Sequence, residues 1–258
     1  MTDLRGVAVR AILSAQEATC DVRDEAWGTL VLNPEFHLLH VANYLSLRAL
    51  PPGGLAEVLR RMDDTFRPLH IRHRMVFVED EGLADGLIQE FATRGFTAQP
   101  SHVMAALRPP SLAANPEILL RLARDQSTRD DYDTIGGLID EESGYDHEVS
   151  HQLLALHWRR LNELASEAYV AYARGEAVGC ATMTDVGGVA VVEDIATHPG
   201  FRGRGVAATV MLRLLERARS RGLSPVVLET PLKDTTVEMY EKLGFDRVGR
   251  LDEFLLPG

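Results

Sequence analysis

Cysteine is scarce in this chain: there are two, Cys20 and Cys180, in 258 residues. Two thiols build neither a disulfide framework nor a four-thiol metal site. A reducing compartment is therefore the default, and we expect a cytoplasmic protein without a structural metal. Long apolar runs are missing too; none approaches the ~18 residues that a membrane-spanning helix needs. Met1, Thr2, Asp3 and Leu4 carry no basic cluster, so no secretory leader is expected. Positive charge is in short supply. Lys and Arg number 27 against 38 Asp and Glu, a formal net charge of −11. Such a chain repels a nucleic-acid backbone at long range and attracts a cationic small molecule. The 45% hydrophobic and 25% charged content is that of an ordinary globular protein, long enough for one large domain or two small ones.

The most informative stretch is residues 191–215, VVEDIATHPGFRGRGVAATVMLRLL. Val191, Val192, Ile195 and Ala196 form a strand-like apolar run that Pro199 and Gly200 stop. Val206, Ala207, Val210, Met211, Leu214, Leu215 and Ala218 then recur at helical spacing. Between them lies Arg202-Gly203-Arg204-Gly205-Val206-Ala207. Glycines at the start of a helix let backbone amides approach an anion closely, and two arginines add charge. The spacing is neither the dinucleotide fingerprint nor a Walker loop.

Arg202, Gly205 and Ala207 resemble the R-x-x-G-x-G/A acyl-CoA motif of the GNAT superfamily of N-acyltransferases. Met239-Tyr240-Glu241-Lys242-Leu243-Gly244-Phe245 is similar to that family's Leu-Tyr-Glu-Lys-Leu-Gly-Phe signature, in the right order downstream. The resemblance is firm over about residues 165–256 and looser from 118. It implies an α/β (α+β) fold, a mixed central sheet flanked by helices. It also implies acetyl-CoA as co-substrate and N-acetyl transfer to a primary amine in a ternary complex. Cofactor contacts would fall at Ile195, Ala196 and Thr197, at residues 202–207 (Arg202, Gly203, Arg204, Gly205, Val206, Ala207), and at Lys233, Thr235 and Tyr240. An asparagine is common in the family seven residues before the tyrosine; here Lys233 stands there. Lys233 could approach a CoA phosphate instead. Thr235 and Glu238 have capping-box spacing and are expected to start the next helix.

The remaining chain suggests a duplication. Residues 55–62 read as a helix, 69–79 as a strand, 82–93 as a helix, and 101–107 as a strand after Gly95-Phe96. The same order recurs as 206–221, 225–229, 235–243, Gly244-Phe245 and 251–256. Residues 38–42 also look strand-like, and Val7, Ile12 and Leu13 mark one helical stripe. The proline-rich segment 108–116 is the best linker. We therefore expect two GNAT-like domains: residues 1–110, degenerate, and residues 111–258, catalytic. Accidental helix–strand alternation is the competing reading. Where the second half has its glycine turn, the first has Pro51-Pro52-Gly53-Gly54, and proline has no amide hydrogen to give.

Acyl transfer to an amine needs a base, an oxyanion donor and an acid for the leaving thiolate. The resemblance assigns the acid to Tyr240 and the oxyanion donor to a backbone amide at or beside Ile195. Two carboxylates compete for the base. Glu193 shares a face with Ile195 by strict alternation, and Asp194 then points away. Glu229 ends the apolar run Val226-Val227-Leu228. His147, His151 and His157 lie near the expected acceptor side without a third metal ligand. Asp140, Glu141, Glu142, Asp146 and Glu148, with Tyr145 and Trp158, make an acidic, aromatic rim suited to a small, cationic amine. The expected assembly is a monomer or homodimer, without nucleic-acid or membrane partners. Two other readings stay open: a non-catalytic acyl-CoA-binding sensor or scaffold, and acetylation of a protein- or RNA-linked amine.

Overall fold

Two helix–strand series, one after the other along the chain, share a single sheet in the computed structural model, which describes residues 3–258. The first series runs α1 (Leu4–Glu17), β1 (Asp21–Glu25), β2 (Gly28–Leu32), β3 (Tyr44–Leu47), α2 (Gly54–Phe66), β4 (Arg74–Val78), α3 (Glu81–Thr93) and β5 (Thr97–Ala106). The second runs β6 (Ile118–Leu122), α4 (Gln126–Glu142), α5 (His147–Glu163), β7 (Ser166–Ala173), β8 (Glu176–Val186) and β9 (Val189–Thr197). It continues through α6 (Val206–Ser220), β10 (Val226–Pro231), α7 (Val237–Lys242) and β11 (Phe245–Leu256).

The sheet order is β1-β2-β3-β4-β11-β5-β10-β9-β8-β7-β6. Each series has one parallel contact, β3 with β4 and β9 with β10. The two series exchange their last strands. β5 inserts antiparallel between β10 and β11, and β11 pairs antiparallel with β4. Hydrogen-bonded ladders cross the expected boundary at residue 110. Nor is the expected linker slack. Leu107 and Arg108 both donate backbone bonds to Gly244 O, and Ser111 donates to Lys242 O.

Alternation sends side chains to two faces. On one face α1 packs Ile12 and Leu13 onto Val103 of β5, Val227 of β10 and Leu251 of β11, so it covers the seam between the series. Beside it, α4 and α5 cover β7 and β8 through Tyr132, Ile135 and Trp158. The opposite face carries α6 and α7 over the second series, and α2 and α3 over the first. Removing a fully buried side chain such as Leu13 would cost about 2–5 kcal/mol.

Two strand expectations need correction. Residues 38–42 are not a strand; His40–Ala42 is a 3-10 turn, and β3 begins at Tyr44. The buried Asn43 amide explains this. It donates to Phe36 O and Leu39 O and accepts from Asn33 N, giving the backbone a local partner instead of a ladder. Within 69–79, only Arg74–Val78 is strand, because His70 is left-handed with φ 59°.

Candidate active site

The chain leaves β9 at Thr197, turns through Pro199–Phe201 and enters α6 at Gly205. Gly203 and Gly205 have φ of 74° and 76°, the left-handed region that favours glycine. A methyl group added to either would meet nothing within 4 Å, so the turn is open as well as left-handed. Gly205 caps α6 with no side-chain hydrogen bond, and the first turn of α6 contains no acid. The amides of that turn, including those of Val206 and Ala207, are therefore free to meet an anion at the positive end of the helix dipole. The flanking arginines are engaged elsewhere. Arg202 forms a bidentate ion pair with Glu142 of α4, and Arg204 lies over the Phe201 ring at 5.0 Å.

Upstream of this turn, β9 and β10 part. Their ladder joins Ala190 to Val226 and Val191 to Val227 and goes no further. Both strands continue: β9 pairs with β8 as far as Thr197, and β10 with β5 as far as Pro231. The edge of β9 that faces β10 is thus left without a ladder partner from Val192 onward. Ile195, Ala196 and Thr197 lie on it.

A bulge in β9 changes which side chains face where. Asp194 has φ 54°, and the register against β8 shifts between Cys180 and Thr182. Strict alternation fails there. Glu193 lies opposite Thr182, and Asp194 reaches the same Thr182, so both carboxylates enter one cavity. Ile195 instead packs toward the α6 cluster, and Ala196 returns to the Cys180 side. The expectation that Glu193 shares a face with Ile195 while Asp194 points away is overturned by that one extra residue.

The cavity holds about 350 Å³. Tyr132 and Asp140 of α4, Leu153, His157 and Arg160 of α5, and Glu193 and Asp194 line it. The first series contributes Gln16 and Val41. Arg160 ties the halves together by donating to Gln16 O at 3.3 Å and Val41 O at 3.2 Å. Burial pushes the Glu193 carboxyl up to about 7, with the Asp194 and Glu229 charges adding to the effect and Arg160 opposing it. Asp194 shifts the other way. Desolvation alone would raise it, but the His157 hydrogen bond and charge, with Arg160 and Thr182, hold it below the usual carboxylate value.

Tyr240 of α7 is 6% exposed and lies in the α6 cluster, on the same side as Ile195. Burial pushes its phenol up to about 12, so it stays protonated near neutrality. Glu229 faces the α1 side of β10. Burial raises its carboxyl, with Glu253 of β11 and Ser101 of β5 beside it. Lys233 and Thr235 are exposed on the loop before α7. The Thr235–Glu238 capping box does not form. Thr236 is the cap residue, and Asp234 tightens the turn by accepting from Thr236 N and from the Thr230 hydroxyl, both at 2.8 Å.

The expected rim is only partly available. Asp140 and Tyr145 line the cavity, whereas Glu142 is paired with Arg202 and Asp146 caps α5. Trp158 gives its indole N–H to Asp133 and lies under Arg129. His147 and His151 are exposed, and no three potential metal ligands cluster among the described residues. Missed by the sequence reading were Asp194, Tyr132, Thr182, Arg160 and Gln16. One signal was present: two adjacent carboxylates inside an otherwise apolar strand.

The acetyltransferase (GNAT) family model matches residues 132–245. Glucosamine 6-phosphate N-acetyltransferase of Trypanosoma brucei brucei is 33% identical over 104 residues, covering 36% of this chain and 69% of that protein. The chain belongs to the GNAT acetyltransferase family. N-acetylaspartate synthetase of Danio rerio is also 33% identical, over 93 residues, but the match spans only a third of each protein (35% and 33%). The solved structure of a GCN5-related N-acetyltransferase from Kribbella flavida has the same fold. It aligns over 97% of this chain and 95% of its own length, with a TM-score of 0.71 at 16% identity. No helix among the described residues is long and apolar enough to cross a membrane.

Proposed function

We propose that this chain moves an acetyl group from acetyl-CoA to a small primary amine by direct attack in a ternary complex. Residues 111–258 carry the chemistry, and residues 1–110, a degenerate copy, wall the acceptor side. The carrying observation is the parting of β9 from β10. It lies between the open α6 turn and Tyr240 on one face and the carboxylate-lined cavity on the other. A thioester lying through that gap would meet an amine held in the cavity.

The pyrophosphate would rest on the amides of residues 203–207, where the uncapped left-handed glycines suit it. Lys233, exposed and without an ion pair among the described residues, suits a CoA phosphate beside Thr235. The pantetheine amides would pair with the free edge at Ala196 and Thr197 like an added strand. The Ile195 amide would donate to the developing oxyanion. Glu193 is the better base, because it lines the cavity and titrates near neutrality, whereas Glu229 is not among the cavity's lining residues. Tyr240 would protonate the thiolate. Two relatives are named for small molecules, N-acetylaspartate and glucosamine 6-phosphate, which favours a small acceptor over a macromolecule here.

Calorimetry with acetyl-CoA, followed by thiol release across a panel of primary amines, tests this reading. Binding at one site per chain and turnover with at least one amine are expected. No binding at ~1 mM, equivalent to about 4 kcal/mol, sinks it.

A further inference from the structure

We propose that Asp194 anchors the acceptor as its ammonium cation, and that Glu193 beside it takes the proton that frees the amine for attack. This deepens the N-acetyltransferase reading and rests on it.

The geometry around Asp194 is lopsided. His157 Nδ1 at 3.2 Å, the Thr182 hydroxyl at 3.2 Å and the Tyr132 hydroxyl at 3.3 Å all converge on Oδ2. Oδ1 accepts from no group among the described residues, yet the side chain is 54% exposed and lines the cavity. Three groups therefore fix one oxygen and leave the other presented. His157 is itself held by stacking on Tyr132, with ring centroids 4.4 Å apart. The backbone is held in a left-handed conformation that an aspartate adopts at some cost, which marks a constrained position. Without the bulge the side chain would leave the cavity.

Adjacent carboxylates with opposed environments divide acid–base work. Asp194 has donors and a histidine and stays ionised; Glu193 is desolvated and next to that charge, so it holds or releases a proton near neutrality. Arg160, Asp140, Glu229 and His157 are the charged and titratable groups around them. A primary ammonium has three N–H bonds, enough to donate to Asp194 Oδ1 and to Glu193 together. One proton passes to Glu193, and the amine nitrogen bonds to the acetyl carbon as the C–S bond breaks. The nitrogen then loses its second proton, and the thiolate takes one. In sum, an ammonium and acetyl-CoA give the amide, CoA thiol and one proton released to water.

The informative variant is Asp194→Asn. Its amide oxygen can still receive the three groups that hold Oδ2, asparagine tolerates the left-handed backbone, and an NH2 replaces Oδ1. Steady-state kinetics on the full chain use acetyl-CoA and primary alkylamines, read by thiol release. We expect the KM of the best alkylamine to rise at least about thirtyfold, with kcat falling no more than about threefold and acetyl-CoA affinity unchanged. An unchanged KM, or a kcat loss at constant KM, overturns the anchor. A second arm needs no turnover: n-butylammonium chloride is titrated into protein labelled with 13C at aspartate carboxyls. A resonance that shifts with n-butylammonium, ignores n-butanol and is missing from Asp194→Asn supports the anchor. No shift, or an equal shift with n-butanol, overturns it. Failure of the wild type to bind acetyl-CoA would sink the transferase reading instead, leaving the titration to decide Asp194.

Discussion

The two series start their equivalent helices differently, and the difference decides which helix leaves its first amides open. In the second, Gly205 opens α6 with no side chain on its amides. In the first, the Glu57 carboxylate folds back onto Gly53 N at 2.9 Å, and the turn ahead of α2 contains Pro51 and Pro52. The strands differ likewise. β3 is four buried residues, and its contact with β4 is continued by Glu79 N donating to Leu47 O. β9 is nine residues, bulged at Asp194 and parted from β10. Just beyond the parallel contact, the first series has an ion pair, Arg48 to Glu79 at 3.6 Å, with Arg10 also on Glu79 at 2.9 Å. The second has two carboxylates there, Glu193 and Glu229, with no cation paired to either among the described residues. Laying Leu45–Val76 on Ala190–Val226 superposes Arg48 on Glu193 and Glu79 on Glu229. A neutralised pair favours stability; an unpaired acid with a raised pKa can do proton chemistry.

Glu193→Gln should break the working side hardest. Loss of a general base lowers kcat by about 10²–10³, while calorimetry should find acetyl-CoA affinity unchanged. The rate must rise with pH, since only the carboxylate accepts a proton. The limb centred near pH 7 in the wild type should vanish in the variant. Stability should move oppositely. A carboxyl pKa raised from 4.5 to about 7 means the folded state holds the proton more tightly, so wild-type stability falls as pH climbs through that window. Glu193→Gln removes this loss and should melt a few degrees higher at pH 8. A variant equally active at all pH values would transfer the base role elsewhere.

Gly205→Asp should be the next largest effect. Aspartate tolerates a positive φ, so the turn can persist, but its carboxylate faces the proposed pyrophosphate. Acetyl-CoA affinity should fall by about 30–100-fold, and Gly205→Asn, of the same shape without charge, should lose much less. Similar losses in both would point to backbone strain rather than charge.

The strand–turn–helix at 191–215 and the short helix that carries Tyr240 were legible because they depend on local chemistry: glycine freedom, a helix stripe and a short signature. The strand exchange was not, because pairing β5 with β10 joins residues more than a hundred apart and leaves no local mark. Asp194 was misplaced for a narrower reason. Alternation assumes extended backbone at every residue, and one left-handed residue reverses all that follow. The strand wrongly expected at 38–42 came from apolar content alone; the decisive group was the buried Asn43 amide, a contact no periodicity reports.

Glu79→Gln sharpens the comparison from the structural side. Arg10 and Arg48 would lose their shared carboxylate, and Arg10 and Ser46 (2.6 Å) would be left one acceptor oxygen where they now have two. Chemical denaturation should show a loss of about 1–3 kcal/mol, with acetyl-CoA affinity and kcat unchanged. A selective loss of activity would mean that the first series takes part in chemistry.

Glu57→Ala should have the smallest effect and asks what keeps the start of α2 closed. The Glu57 carboxylate occupies Gly53 N, so removing it exposes an amide at the start of α2 and lowers stability by about 0.5–1 kcal/mol. If the carboxylate alone closed that helix to phosphate, the variant would acquire a second CoA site. We expect none. Pro51 and Pro52 contribute no N–H, and Gly54 N is already donated to Pro51 O at 2.9 Å. The β3–β4 contact also stays closed, leaving no free strand edge for the pantetheine arm. Calorimetric stoichiometry should therefore remain one acetyl-CoA per chain. Two per chain would show that the first copy is merely plugged by Glu57, and that its turn and closed sheet are no barrier to the cofactor.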